Sequence, residues 1–164
     1  MSKLFVDDIV EKTSGHGVSI PGHVVQVVNT IFKTQAATTS GTSSATGLSQ
    51  SITPQSANSK LLVQIDVNGV YSNVTSGAVH LDLYRDGSAV TLVSGEVVAG
   101  RFAQSHAYNT GGQSITASAF SKLVDAGSTS ATTFQLYFAM AGSNTAYINV
   151  NNAASSITVS EIAQ

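Results

Sequence analysis

The chain has 164 residues, a formal net charge of −2, a charged fraction of only 10% against 42% hydrophobic residues, and no cysteine. One domain of this length buries roughly two thirds of the surface its unfolded chain exposes. Disulfide and thiolate chemistry are excluded, no basic cluster invites nucleic acid, and no apolar run approaches the ~20 residues of a membrane span.

The usual charged share is about 25%, so Ser, Thr, Asn, Gln and Gly must supply the polar surface. Such a surface opposes association weakly, and self-association is expected. In the opening MSKLFVDDIVEK, acidic residues interrupt any signal-peptide core. The expectation is synthesis in a cytoplasm and, for action outside, an exit that needs no signal peptide.

Along Leu4 to Val28 (LFVDDIVEKTSGHGVSIPGHVVQVV) a short apolar run breaks at Gly15-His16-Gly17, resumes at Val18 to Ile20 and turns at Pro21-Gly22. Strand, turn, strand, turn and a long β-branched strand is the local reading. A first strand of about five residues cannot stand alone in water and needs a partner. His23 to Lys33 is apolar on both faces, with Val25, Val27 and Ile31 on one and Val24, Val28 and Phe32 on the other. One face suits a core and the other a neighbouring subunit.

Gln35 to Gly47 is rich in Ser, Thr, Ala and Gly without apolar period, and is expected to be an exposed, mobile loop before a short strand at Leu48 to Ile52. Lys60 to Tyr71 alternates cleanly, with Leu61, Val63, Ile65, Val67 and Tyr71 assigned to one face. Ala78 to Arg85 repeats the pattern, Asp86-Gly87 makes a hairpin turn, and Ala89 to Val93 returns. Strands are expected again over Gln113 to Val124, Thr133 to Met140, Ala146 to Val150 and Ser156 to Ile162. About eight to ten short strands with frequent turns predict an all-β antiparallel sandwich of jelly-roll type.

The motif VD-x-I-x-x-K followed by G-x-G-V-x-I-P-x-G-H-V-x-Q-V resembles the start of many small bacteriophage virion proteins and tail-fibre tips, and the closing SSITVSEIAQ is similar to the last strand of their jelly-roll heads. The likeness covers the first thirty or so residues and the last ten; between them only the strand pattern matches. It implies a short N-terminal stem over residues 1–22 feeding a sandwich head over 23–164, in a homotrimer. It further implies a virion protein assembled in the host cytoplasm, a tail-fibre or receptor-binding tip attaching the particle to a host surface glycan. The alternative is a capsid decoration or cement trimer that binds no host molecule. Expected partners are copies of the chain, other virion proteins and host surface polysaccharide, without nucleic acid or membrane insertion.

Leu4, Val6, Ile9, Val24 and Val28 are the candidate trimer contacts, from the marginal stem and the doubly apolar strand. Ala99 to Gly112 (AGRFAQSHAYNTGG) reads as a long inter-strand loop, in which Arg101, Phe102, His106, Tyr108 and Asn109 offer a guanidinium, aromatic faces and an amide to a sugar. The other reading of that loop is a connection whose aromatics cap the core. His16 is either a polar turn residue or, on a three-fold axis, a ligand to an ion. Asp66, Asp82 and His80 are placed on two strands expected to pair. A glycosidase needs carboxylates about 5–9.5 Å apart in a cleft, but no Glu or aromatic wall accompanies them, so they read as a solvated or intersubunit face. No catalytic residue, metal site or cofactor is expected.

Overall fold

The structure, a computed structural model, describes residues 21–73, 76–90, 101–108, 115–141 and 144–164, with backbone alone at 76–77, 101–108 and 141. Strands dominate. They are β1 (Val24–Phe32), β2 (Ala36–Thr38), β3 (Ser44–Ile52), β4 (Lys60–Ser72), β5 (Ser76–Arg85), β6 (Ser88–Ala89), β7 (Arg101–Tyr108), β8 (Thr116–Asp125), β9 (Thr132–Ala141), β10 (Ala146–Ile148) and β11 (Ser155–Ile162). A short 3-10 turn, Val150–Asn152, separates the last two.

All pairings are antiparallel and fall into two sheets. In the first, β1, β11, β4 and β8 lie side by side, with β10 and β2 beside the far end of β4. In the second, β3, β9, β5 and β7 follow in order, with β6 also on β5. The pairing nests: β1 with β11, β3 with β9, β4 with β8, β5 with β7. A long hairpin rolled over in this way is the winding of a jelly roll.

Alternation sends one side chain in two between the sheets. Leu61, Val63, Ile65 and Val67 of β4 are at most 1% exposed, as are Phe134, Leu136, Phe138 and Met140 of β9. Val79, Leu81 and Leu83 of β5 close the core from the same sheet as β9. The Asp86-Gly87 turn forms as expected, with φ of 49° and 80°, the double positive φ that suits the strand twist of a two-residue hairpin. Its return strand is β6, after which Val90 N–H donates to Leu83 O at 2.9 Å; residues 91–93 lie outside the described residues.

Four departures from the sequence reading concern local strand structure. Gln35–Gly47 is not a free loop. It contains β2 and the start of β3, because its hydroxyls supply bonds that a polar composition hides: Thr46 Oγ1 donates to Leu136 O at 2.8 Å, and Ser44 Oγ to Thr38 Oγ1 at 3.0 Å. The expected loop around Arg101–Tyr108 is the strand β7, its backbone paired along β5 from Ser76↔Tyr108 to Asp82↔Arg101.

The other two departures are bulges. In β1, Val24 pairs with Ile162 and Gln26 with Glu161, so Val25 is an extra residue. Val24 therefore joins Val27 and Ile31 on the outer face, while Val28 and Phe32 pack on the core. In β4, Val67 pairs with Ser118 and Val70 with Thr116, again one residue too many. Val70 takes the core position at 1% exposure, and Tyr71 turns outward instead of continuing the apolar face. A bulge reverses the alternation beyond it.

The described strands run from Val24 to Ile162 in two antiparallel sheets. The stem expected over 1–22, with Leu4, Val6, Ile9 and His16, lies almost wholly outside the described residues.

Candidate functional site

Two features of the outer face of the first sheet stand out, one at each end of β4. At the end where β4 begins, paired residues line up across four strands. One row runs Val27, Ser160, Leu62, Leu123, and the next runs Val24, Ile162, Lys60, Asp125. Val24, Val27, Ile31 and Leu123 are 52%, 57%, 63% and 50% exposed, a high accessibility for β-branched and leucine side chains on one face. Between them sit small neutral polar groups, Asn29, Thr158, Gln64 and Ser121 in one row. Lys60 and Asp125 neutralise each other in a salt bridge at the margin. The face is apolar in stripes and carries few charges, Asp66 in the row of Ile31, Ser156 and Ala119 among them.

At the other end of β4 lies a cleft of ≈310 Å³, lined by Gln35, Tyr71, Ile115, Tyr147, Val150 and Asn151. The β4 bulge builds it. With Tyr71 turned outward it meets its cross-strand partner Tyr147, and the rings stack with centroids 5.6 Å apart and planes 27° apart. Ile115, next to Thr116 of β8, continues the apolar floor and is 43% exposed.

The opposite wall is the turn after β10, and its conformation is held by polar contacts from every side. Asn149, Asn151 and Asn152 all have positive φ, of 58°, 56° and 59°, which asparagine tolerates better than other residues with a Cβ. Asn149 is 1% exposed; its side-chain N–H groups donate to Phe32 O at 3.0 Å and Thr34 O at 3.1 Å, and its Oδ1 accepts from Ser155 Oγ at 2.5 Å. Asn68 Nδ2 donates to Ala154 O at 2.8 Å. The turn can press on β4 because residue 69 is glycine: a Cβ there would lie 2.7 Å from Val150 N and 2.9 Å from Val150 O. The result is a rigid ledge with the Asn151 side chain exposed at its rim.

The residues singled out from sequence do not converge on either feature as a group. Asp66 is on β4 and His80 and Asp82 are on β5, strands of opposite sheets, so the expected pairing of their polar faces does not occur. Asp66 sits in a second, shallower depression of ≈250 Å³ with Gln64, Ala119 and Ser121. His80 and Asp82 are each 3% exposed, and Asp82 Oδ2 accepts a hydrogen bond from Ser43 Oγ. Arg101, Phe102, His106 and Tyr108 belong to β7, with Phe102 the extra residue at a register shift; their side chains, and Asn109, lie outside the described residues. Of the candidate trimer contacts, Val24 is on the exposed face and Val28 is not, the bulge at Val25 having separated them. Among the described residues no three His, Cys, Asp or Glu side chains gather as a metal site.

Sequence reasoning missed Tyr71, Tyr147 and Asn151 as a group. The signal for the first was Asn68-Gly69 inside a strong strand pattern, since an isolated glycine in a strand marks a bulge. Nothing local to Tyr147 announces that it pairs with Tyr71.

No family model matches the chain, and no curated protein is similar to it in sequence. Among solved structures it is similar to the crystal structure of the infectious bursal disease virus VP2 subviral particle, with 12% identity and a TM-score of 0.47 over 95% of this chain and 37% of that one. This chain thus spans little more than a third of the length of that protein.

Proposed function

We propose that the chain is a structural component of a virus particle, acting as a homotrimer that attaches a bacteriophage to a host surface glycan as a tail-fibre or receptor-binding tip. Copies of the chain, other virion proteins and host polysaccharide are its partners, and it catalyses no reaction. The likeness of its terminal motifs to phage virion proteins supports the virion role. The observation that carries the oligomer is the outer face bearing Val24, Val27, Ile31 and Leu123, which leaves aliphatic side chains half-exposed on a surface with few charges. Second copies of the chain are its occupant in this reading, since apolar area covered by a neighbour gains about 25 cal/mol per Å² and few like charges resist approach. A capsid decoration trimer would use the same face. The tyrosine cleft, a concave aromatic site that a purely structural trimer does not need, favours the attachment role.

Native mass spectrometry at about ten micromolar protein should find a trimer and little monomer. Val27→Asp together with Ile31→Asp should give a folded monomer, because both side chains are solvent-facing in the isolated chain and carry charge into the proposed interface. Val28→Asp should instead unfold the domain, since Val28 packs against the core. A monomer from the unaltered full-length protein overturns the proposal.

A further inference from the structure

We infer that the cleft between Tyr71, Tyr147 and the Asn151 ledge binds a neutral saccharide. The inference deepens the proposed attachment role and rests on it for its biological sense, but it stands on residues other than those of the proposed subunit face. Ile31 of that face shares a row with Ser156 and Asp66, and Asp66 and Tyr71 are five positions apart on β4, about 16 Å at strand spacing, so the cleft lies beyond the end of the face that a neighbour would cover.

Three observations select the ligand class. The first is the floor: two near-parallel tyrosine rings and the exposed Ile115 side chain present aromatic and aliphatic carbon to one cavity. Sugar rings pack their C–H faces on such surfaces, and the phenol hydroxyls keep the rim wet. The second is the polar complement. Gln35 and Asn151 are exposed amides at the rim, Gln35 preceding Ala36, which pairs with Ile148 just before the turn that carries Asn151; each carries both donors and acceptors, and among the described residues neither side chain has a hydrogen-bond partner. An amide matches a hydroxyl in either sense. The third is charge: none of the described lining residues is ionisable near neutrality. A phosphate, a carboxylate or an ammonium ion would lose hydration there with no counter-charge, whereas a neutral polyol loses only hydrogen bonds that the amides and phenols replace. The volume of ≈310 Å³ lies at the lower end for small-molecule sites, enough for one sugar ring with its chain continuing into solvent.

The ledge is also built as binding sites are. Asn151 is held at a φ of 56° by a turn whose neighbour Asn149 is buried with three side-chain hydrogen bonds. The backbone that carries the ligand-contacting amide is therefore ordered by folding, before any ligand arrives.

The probes are glucose, galactose, mannose and N-acetylglucosamine at millimolar concentration, with the full-length protein, read by saturation-transfer difference NMR. Transfer to ring C–H protons of at least one sugar is expected, with affinity falling about tenfold in Tyr147→Ala. Asn151→Gly is the companion variant, because glycine adopts positive φ without cost and removes only the amide; it should weaken binding several-fold in a protein with unchanged circular dichroism. No transfer to any of the four sugars overturns the inference, as does transfer unchanged in both variants. Native mass spectrometry on the same sample keeps the two readings apart. A trimer that ignores sugars sinks the cleft alone, and a monomer that binds them sinks the trimer alone.

Discussion

Replacing Glu161 by glutamine should cost the sandwich about 3–5 kcal/mol at neutral pH. The Glu161 side chain points inward from β11 and is 0% exposed. Its carboxylate accepts Gln26 Nε2 at 2.6 Å, the backbone N–H of Gln55 at 2.9 and 3.0 Å to its two oxygens, and the N–H of Ser56 at 3.2 Å. Burial pushes its pKa up, but the hydrogen bonds from Gln26, Gln55, Ser59 and Ser56 together outweigh burial and hold it below the ordinary value of 4.5. The carboxylate thereby ties the connection between β3 and β4 to the last strand. Glutamine keeps the shape but turns one oxygen into an NH₂ group that faces donors. At least one charge-assisted hydrogen bond is lost, about 1.5–3 kcal/mol, and a buried N–H is left without an acceptor, about 1–3 kcal/mol more. For a chain of this size the melting temperature should fall by roughly 10 °C.

The pH dependence supplies a second, independent sign. A carboxyl whose folded pKa is lowered contributes stability that is fully present above its unfolded pKa. That contribution is lost as pH falls through the folded value. The glutamine variant does not titrate, so the gap between the two proteins should close in acid. Guanidinium unfolding at one fixed protein concentration, from pH 7 to about pH 3, measures both effects. A loss below about 1 kcal/mol at pH 7, or a gap that stays constant into acid, would refute the assignment of Glu161 as an ionised, fully bonded buried group.

Gly69→Ala and Gly87→Ala should separate conformational strain from steric exclusion. Both positions have positive φ, 61° and 80°, but an added Cβ meets nothing within 4 Å at Gly87 and the backbone of Val150 at Gly69. Thermal denaturation should show a loss of about 1–2 kcal/mol at Gly87 and about 3–5 kcal/mol at Gly69, and equal losses would mean that the turn is not pressed against β4. The protein should also release no reducing ends from host surface polysaccharide, because Asp66 and Asp82 belong to opposite sheets; release that disappears in Asp66→Asn or Asp82→Asn would show otherwise.

The all-β architecture was open to reading because its causes are local. Alternation in Lys60–Val67 and Thr133–Met140 places the core face without knowledge of any partner strand. Asp86-Gly87 announces its hairpin because few residues other than these accept positive φ in succession. The closing strand is equally plain. What tertiary structure decided is everything that depends on pairing. Alternation counts residues, and a single bulged residue reverses it; whether Val25 and the Asn68-Gly69 step pair or bulge is settled by β11 and β8, far away in sequence. Those two bulges moved Val24 to the outer face and Tyr71 into the cleft. Pairing also set Asp66 and Asp82 in opposite sheets, and brought Tyr147 beside Tyr71. Glu161 shows the same logic at one side chain. Nothing local to Glu161 in the closing strand announces its partners, and only the folded chain brings Gln26, Gln55, Ser56 and Ser59 close enough to bury it as an anion.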